Sequence, residues 1–443
     1  MTTSLPETAP AVGAPPRLPE HGLDVWFVGN RSALFWLAIK TGFWTILTLG
    51  FYRFWMKTRL RRWYWSAIRP GGHAMEYTGD PWEKLLGFFI AVVILTFYIG
   101  LVNLVLMFVS FSVFQSASLG YMASFLGVIP LWFFAQYRAR RYVLARTRWR
   151  GVRFGLEPGA WGYAWRAMIH WLVTICSLGI LWPRMTFWLE KYKTDRTVFG
   201  SARLVQEGRW WMLYRAARPF IAGVGLLVLW AAWVLWFRPV IPLAGDGLSD
   251  LFTNIGAVVD FRFIPGDWDR PARLFLVLPI AVLLIYGAVH YRFVSKRILA
   301  NHKVADGVRL SSELNGLRVS VIYAVGTTIA YTILFFGVVA LVLLALGLLG
   351  PDAFLEAQIG TADPLGALPR WLSVGLLGFA YLSVFLLWSV LHQVFVTFPL
   401  MRHMAITLAL VNVAGLAQVS QRARDEFAEA EGFAEALDLG AAI

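Results

Sequence analysis

The sequence is short of the residues that build covalent and metal frameworks. It holds one cysteine, Cys176, in 443 residues, which excludes an internal disulfide and a cysteine-rich metal site. Cys176 lies in an apolar run, where a free cysteine reads as a small core residue. Charge is scarce as well: 15% of residues are charged, against about 25% in soluble domains. No HExxH, P-loop, GxSxG or GxGxxG pattern occurs, and the seven histidines form no compact cluster with Asp or Glu. The sequence therefore offers no catalytic residue, no metal ligand set and no cofactor, and the protein reads as a non-enzyme. The first 24 residues hold five prolines and lack the basic-then-apolar order of a secretory signal, so they read as a disordered tail.

Apolar residues are abundant instead, at 58% of the chain. Residues 85–137 contain no charge over 53 positions, which suits two membrane spans, 85–107 and 121–137, with a Ser-rich break at 110–118. Further uncharged runs cover 219–237, 274–291, 319–351 and 371–401. These give six spans in three hairpins. Two more apolar segments are interrupted by charge: 32–52 contains Lys40, and 158–183 contains Arg166 and His170.

Cations follow a pattern. Segments 53–84, 138–157, 184–218 and 292–318 hold 7, 7, 8 and 6 Lys+Arg against 3, 1, 3 and 2 acids. The remaining loops are acidic or uncharged. The positive-inside rule puts all four basic segments in the cytoplasm. Parity then forbids 158–183 from crossing, because basic segments flank it on both sides. We read 158–183, and by analogy 32–52, as re-entrant or interfacial helices, with both termini cytoplasmic. The rival is eight full spans with one basic loop on the wrong face.

The expected fold is thus an all-α polytopic membrane protein: about six transmembrane helices in three hairpins plus two re-entrant or interfacial helices, with internal repeats. The expected organisation is a tail over 1–24, a first repeat unit over 25–208, further units over 209–405 and an acidic cytoplasmic tail over 406–443. The repeat shows in TLGFYRFWMKTRLRRWYW (48–65) and SLGILWPRMTFWLEKYK (177–193), each an apolar segment, Leu-Gly, then a Trp-rich basic helix. Short polar stretches follow the basic segments, and their Gly and β-branched content suits turns or short strands.

The first copy resembles the YjgN-type bacterial inner-membrane proteins. The pattern F-x-G…L-T-L-G-x-Y-x-x-W…R…R…Y-x-G is matched by Phe27, Gly29, Leu47, Thr48, Leu49, Gly50, Tyr52, Trp55, Arg59, Arg62, Tyr77 and Gly79. EGFAEALDLG at 431–440 is similar to the family's tail. Phe54 stands where proline is frequent, and the second copy has Leu181 before Trp182-Pro183. That family has no established activity, so the resemblance implies a location and a fold, and no catalytic residue.

Aromatic and basic residues interleaved at helix ends anchor a membrane protein at the headgroups, with lysine and arginine snorkelling to phosphates. Arg53, Trp55, Arg59, Arg62, Trp182, Arg184 and Trp188 are the interface or lipid-headgroup candidates. Lys40, Arg166 and His170 are candidates for a polar cavity; Arg166 and His170 share a helix face at i,i+4. The expected partners are the bilayer and its anionic headgroups, with no nucleic acid; a homo-oligomer is compatible. The function expected is a non-enzymatic inner-membrane envelope component that interacts with anionic lipid or protein. The alternative is a small-molecule or lipid transporter with its site between the repeats. The acidic stretch 422–439 is expected to dock on the basic cytoplasmic arms.

Overall fold

The computed structural model describes residues 22–114, 118–237, 275–349 and 370–421, with short pieces between 249 and 256. Ten strands form one antiparallel sheet: β1 (Gly22–Phe27), β2 (Ile68–Pro70), β3 (Met75–Tyr77), β4 (Thr147–Trp149), β5 (Val152–Leu156), β6 (Thr197–Phe199), β7 (Ala202–Gln206), β8 (Lys303–Ala305), β9 (Val308–Ser312) and β10 (Leu408–Val411). The all-α expectation is overturned by this sheet. Its strands are three to six residues long, too short for a period-two pattern to stand out beside long apolar helices.

The order around the sheet is β2-β1-β10-β9-β8-β7-β6-β5-β4-β3. The end strands β2 and β3 are joined by residues 71–74 alone, and Trp149 Nε1 donates to the Pro70 carbonyl at 3.3 Å across that seam. The sheet is therefore a nearly closed barrel. Two of its tight turns, Arg150-Gly151 and Asp306-Gly307, hold both residues at positive φ, the mirror-image turn that suits the twist of paired strands. β1 pairs with β10, Gly22 opposite Val411, so segments far apart in sequence complete the ring.

Between strands the chain leaves the sheet in helical hairpins. The first is α1 (Arg31–Leu47) and α2 (Arg53–Ala67). The second leaves through α3 (Pro81–Phe97), a π-helical turn and α4 (Asn103–Phe114), and returns in α5 (Ser118–Ala145). The third is α6 (Ala160–Cys176) and α7 (Trp182–Thr194). The fourth pairs α8 (Tyr214–Ala232) with α9 (Val277–Ala300). The fifth packs α10 (Gly316–Leu349) on α11 (Arg370–His392), which continues through a π-helical turn into α12 (Phe398–Ile406). Local chemistry starts these helices cleanly. Asn30 caps α1 by accepting from Ser32 N at 2.9 Å, and Asp80 caps α3 just before Pro81. The basic arms are continuations of helices: α5 runs unbroken to Ala145 and α9 to Ala300.

Every excursion starts and ends in the same sheet. The strands on either side of 158–183 lie side by side, Phe154 of β5 opposite Phe199 of β6. That segment therefore does not carry the chain away from the sheet.

Five of the described helical stretches are long and apolar enough to cross a membrane: Pro81–Val113, Trp210–Leu235, Val277–Ala300, Gly316–Leu343 and Gly378–Ile406. Their apolar side chains face outward, as Val93 at 69% and Phe108 at 72% exposure show. Water would not tolerate so large an apolar surface, which suggests a membrane-embedded protein. Buried clusters tie neighbouring hairpins together. Tyr137, Tyr163 and Tyr192 join α5 to α6 and α7, while Leu34, Tyr64, Val394 and Phe398 join α1 and α2 to the end of the fifth hairpin.

β1 begins within the stretch read as a tail, and β10 and the 3-10 turn Val413–Gln418 belong to the stretch read as the acidic tail. The acidic part itself, from 422, lies outside the described residues, as do 1–21, 238–248 and 350–369.

Candidate functional site

The two short hairpins turn in the same way, atom for atom. Leu49 and Leu178 each have φ 50°, and the glycines that follow have φ 96° and 85°. Gly50 N donates to Thr45 O at 2.7 Å, and Gly179 N to Thr174 O at 2.8 Å. The hydroxyls of Thr48 and Ser177 then accept from Tyr52 N and Leu181 N, at 2.9 and 3.2 Å, and so start the returning helix. Two successive left-handed residues are needed, and only glycine holds the second without strain. A β-carbon at either glycine would meet no atom within 4 Å, so backbone strain alone sets the cost of substitution. Gly50→Ala and Gly179→Ala should each lower stability by about 1–2 kcal/mol, and by the sum when combined, in thermal unfolding of the detergent-solubilised protein.

The tips are shallow. The Phe51 ring lies 6.3 Å from Phe89, eight residues into α3, a rise of about 12 Å. At the second tip, Tyr214, the first residue of α8, donates its hydroxyl to Ile180 O at 2.8 Å. The first hairpin thus reaches partway along α3, and the second only the base of α8. Leu49 and Leu178 project from them, 82% and 93% exposed.

Arg53, Trp55 and Arg59 lie on the first turns of the returning helix at the first tip. Trp55 stacks on Tyr52 at 5.9 Å and meets Trp82 edge-on at 4.9 Å, and the Arg59 guanidinium lies 5.6 Å from the Tyr52 ring. Arg53 and Arg59 are exposed. Arg62 donates to Gly79 O at 2.8 Å, which ties α2 to the approach to α3. On the second hairpin Trp182 meets Trp171 edge-on at 5.5 Å, and Trp188 is exposed.

The polar-cavity candidates divide. Arg166, His170 and Arg184 lie together on α6 and α7: Arg184 Nη1 is 3.3 Å from His170 Nδ1, and Arg166 stacks 4.8 Å from the Tyr192 ring. Lys40 is exposed on α1, which packs on α2 and α11, whereas α6 packs on α5 and α7. Among the described residues no three His, Cys, Asp or Glu side chains gather as a metal site.

A charge centre deeper in the fold was not anticipated. Glu190 of α7 lies 3.5 Å from Arg140 of α5, 3.0 Å from Lys193 and 2.8 Å from Lys303 of β8. Burial alone would raise its carboxyl; Lys193, Lys303 and Arg140 outweigh burial and hold it well below the ordinary carboxylate range. Lys303 is drawn down by burial, which Glu190 only partly offsets. When the Leu-Gly turns are superposed in sequence, Glu190 falls at the position of Arg61, both twelve residues past the turn leucine. Arg61 is 1% exposed and donates to Tyr77 OH at 3.3 Å; Lys84, also 1% exposed, lies 5.2 Å from the same ring. One signal was available in the sequence: Glu190 is the sole acid between 158 and 194.

Beside α8, α9 and β9 a pocket of about 560 Å³ is lined by Trp211, Arg215, Arg297, His302 and Glu313. Arg209 lies 4.8 Å from the Trp211 ring.

The sequence profile of a family of bacterial proteins of unknown function, DUF898, matches residues 23–357, β1 through α10. The chain belongs to the DUF898 family. YjgN-type proteins are members of it, so the resemblance carried by Phe27, the Leu-Gly turn and Tyr77-x-Gly79 holds. Searches of curated proteins and of solved structures returned no match. The DUF898 match includes both short hairpins and nine of the ten strands; β10 and everything from 358 onward lie beyond it.

Proposed function

We propose that this DUF898 protein is a multi-pass inner-membrane protein of the bacterial envelope, non-enzymatic, that binds anionic lipid headgroups of the cytoplasmic leaflet. In this reading the barrel lies on the cytoplasmic side, and both short hairpins dip into the near leaflet and return. The observation that carries it is the depth of the tips. An exposed leucine at each turn, seated beside a spanning helix and backed by tryptophan and arginine, suits the headgroup boundary, where aromatic rings and snorkelling cations settle. The pocket with Arg215, Arg297 and Trp211 offers a headgroup two cations and a ring at the same level of the fold.

Depth can be measured directly. Spin labels at Leu49→Cys and Leu178→Cys, in a Cys176→Ser background, should report the acyl region just beneath the headgroups in power-saturation measurements. A label at the bilayer centre or in the opposite leaflet would remove the basis of the proposal. Lipid binding is read by native mass spectrometry of protein extracted with phosphatidylglycerol. Each cation near an anionic surface is worth about 1 kcal/mol, so Arg59→Gln should lower retained lipid about fivefold. Unchanged retention in the joint variant Arg53→Gln, Arg59→Gln, Arg215→Gln would count against a headgroup site.

A further inference from the structure

Strand register assembles a second cationic surface that the helix-end arginines do not explain. Residues directly opposite in antiparallel strands share a face of the sheet. Glu76 is opposite Arg148, and Arg148 opposite Arg153. Two residues on from Arg153, Gly155 is opposite Val198, and Val198 opposite Arg203. Val205, Val304 and Arg309 continue the same line, which passes Val411 and Gly22 and ends with Trp26 opposite Arg69. Arg69, Arg148, Arg153, Arg203 and Arg309 therefore share one face of the barrel. The other face carries Tyr77, Thr147, Lys303 and Gln206, whose side chains meet the helices or the ends of them.

Asp24 and Glu76 lie on the same face, Glu76 directly opposite Arg148, and with Glu157 and Glu207 they set four acids against the five arginines, a small cationic excess. Glu157 pairs with Arg203 at 2.6 Å, and Glu207 lies 3.8 Å from Arg309. At the other end Arg148 lies between Glu76 of β3 and Arg153 of β5. The Nε atoms of Arg69 and Arg148 are shielded from solvent with no hydrogen-bond partner among the described residues.

The chain itself leads to this spot. Ser201 N donates to Ser420 O at 2.9 Å, Ser420 N donates to Ser201 Oγ at 3.1 Å, and Arg153 N donates to Gln421 Oε1 at 3.0 Å. Residues 420 and 421 are thus held on β5 and the β6–β7 turn, one strand from Arg148. The segment that follows, 422–443, carries Asp425, Glu426, Glu429, Glu431, Glu435 and Asp438 against two arginines. Its 22 residues reach about 33 Å as a helix and about twice that extended. Strands are about 4.8 Å apart, so β2 and β9 both lie within about 20 Å of β5.

We propose that the acidic segment 422–443 docks on the arginine face of the barrel and closes it to other polyanions. The surface then has a tethered occupant of opposite charge, delivered beside Arg153, and the segment acts as an internal competitor for any anionic partner.

The test uses the full chain in nanodiscs with heparin as the polyanion probe. A variant with all six acids of the segment replaced by their amides should bind heparin at least tenfold more tightly than the native chain. Amide exchange in β4 and β5 should rise with it. Adding Arg148→Gln and Arg153→Gln should reverse the gain. If that pair fails to fold, Arg203→Gln with Arg309→Gln, whose side chains are 55% and 64% exposed, serves the same purpose. Equal heparin binding by native and amide chains overturns the proposal, because the face is then open or held by something else. A gain that survives arginine replacement at both pairs overturns it too, since the segment would be covering another surface.

Discussion

Glu190→Ala should lower the unfolding free energy by about 3 kcal/mol, the cost of leaving charged partners unmatched in a half-buried cluster. The carboxylate is the one negative charge among Arg140, Lys193 and Lys303, and it joins α7 to α5 and β8. Its loss leaves three half-buried cations facing each other. Glu190→Gln keeps the shape and a hydrogen-bond acceptor, and should lose less. Combining Glu190→Gln with Lys303→Gln should recover part of the loss, because one of the unbalanced cations leaves with the acid. Guanidinium or thermal unfolding in detergent, monitored by tryptophan fluorescence, measures all three variants. The pH dependence follows from the depressed carboxyl. A group whose folded pKa lies below its unfolded one stabilises fully above the unfolded value, near 4.5 for glutamate, and loses that contribution as pH falls through the folded value. Native protein should therefore lose stability below about pH 4.5, and Glu190→Gln should show a flatter acid limb.

Ala409→Pro should be as damaging, at about 3 kcal/mol, and its damage should be local. Ala409 is 4% exposed on β10, with Asp24 of β1 opposite on one side and Ser311 of β9 on the other. Proline in a strand paired on both edges removes a ladder donor and leaves a buried acceptor unmatched. β10 is the strand through which β1 reaches the rest of the ring, so hydrogen exchange should rise in β1 and β9 together while β5 and β6 stay protected. Ala409→Ser, which keeps the backbone donor, should leave both strands protected.

Charge and repetition pointed to part of the chain's path, while the all-α fold expected from them was overturned by the sheet. The basic segments and the Leu-Gly echo pointed to chain segments that leave one side and return to it, and the structure shows 31–67 and 160–194 departing from and rejoining a single sheet. The sheet itself was not legible as a sheet. VRFGL, ARLVQ and VRLSS alternate in the right sense, but five residues are too few to distinguish a strand from a turn. The pairing of β10 with β1 has no local signal at all, because its halves lie at opposite ends of the sequence. The arginine face was invisible for a related reason: it exists only once register is known, and a shift by one residue would send those side chains to the helix side. Arg166 and His170 sit one turn apart on α6, and Arg184, which approaches His170, comes from the returning helix. Lys40 could not be placed relative to them without the packing of α1 on α11.

The central claim is that all the basic segments meet in one barrel on one side of the membrane, with two hairpins that dip and return. Single cysteines at Arg69, Arg153, Arg203 and Arg309, each in the Cys176→Ser background with the six acids of 422–443 replaced by their amides to uncover the face, test it with a membrane-impermeant maleimide applied to intact spheroplasts and to inverted vesicles. All four should react only in inverted vesicles. Labelling of Arg203→Cys in spheroplasts while Arg153→Cys stays protected would put β5 and β6 on opposite sides of the bilayer, and would contradict both the barrel and the shallow hairpin between them.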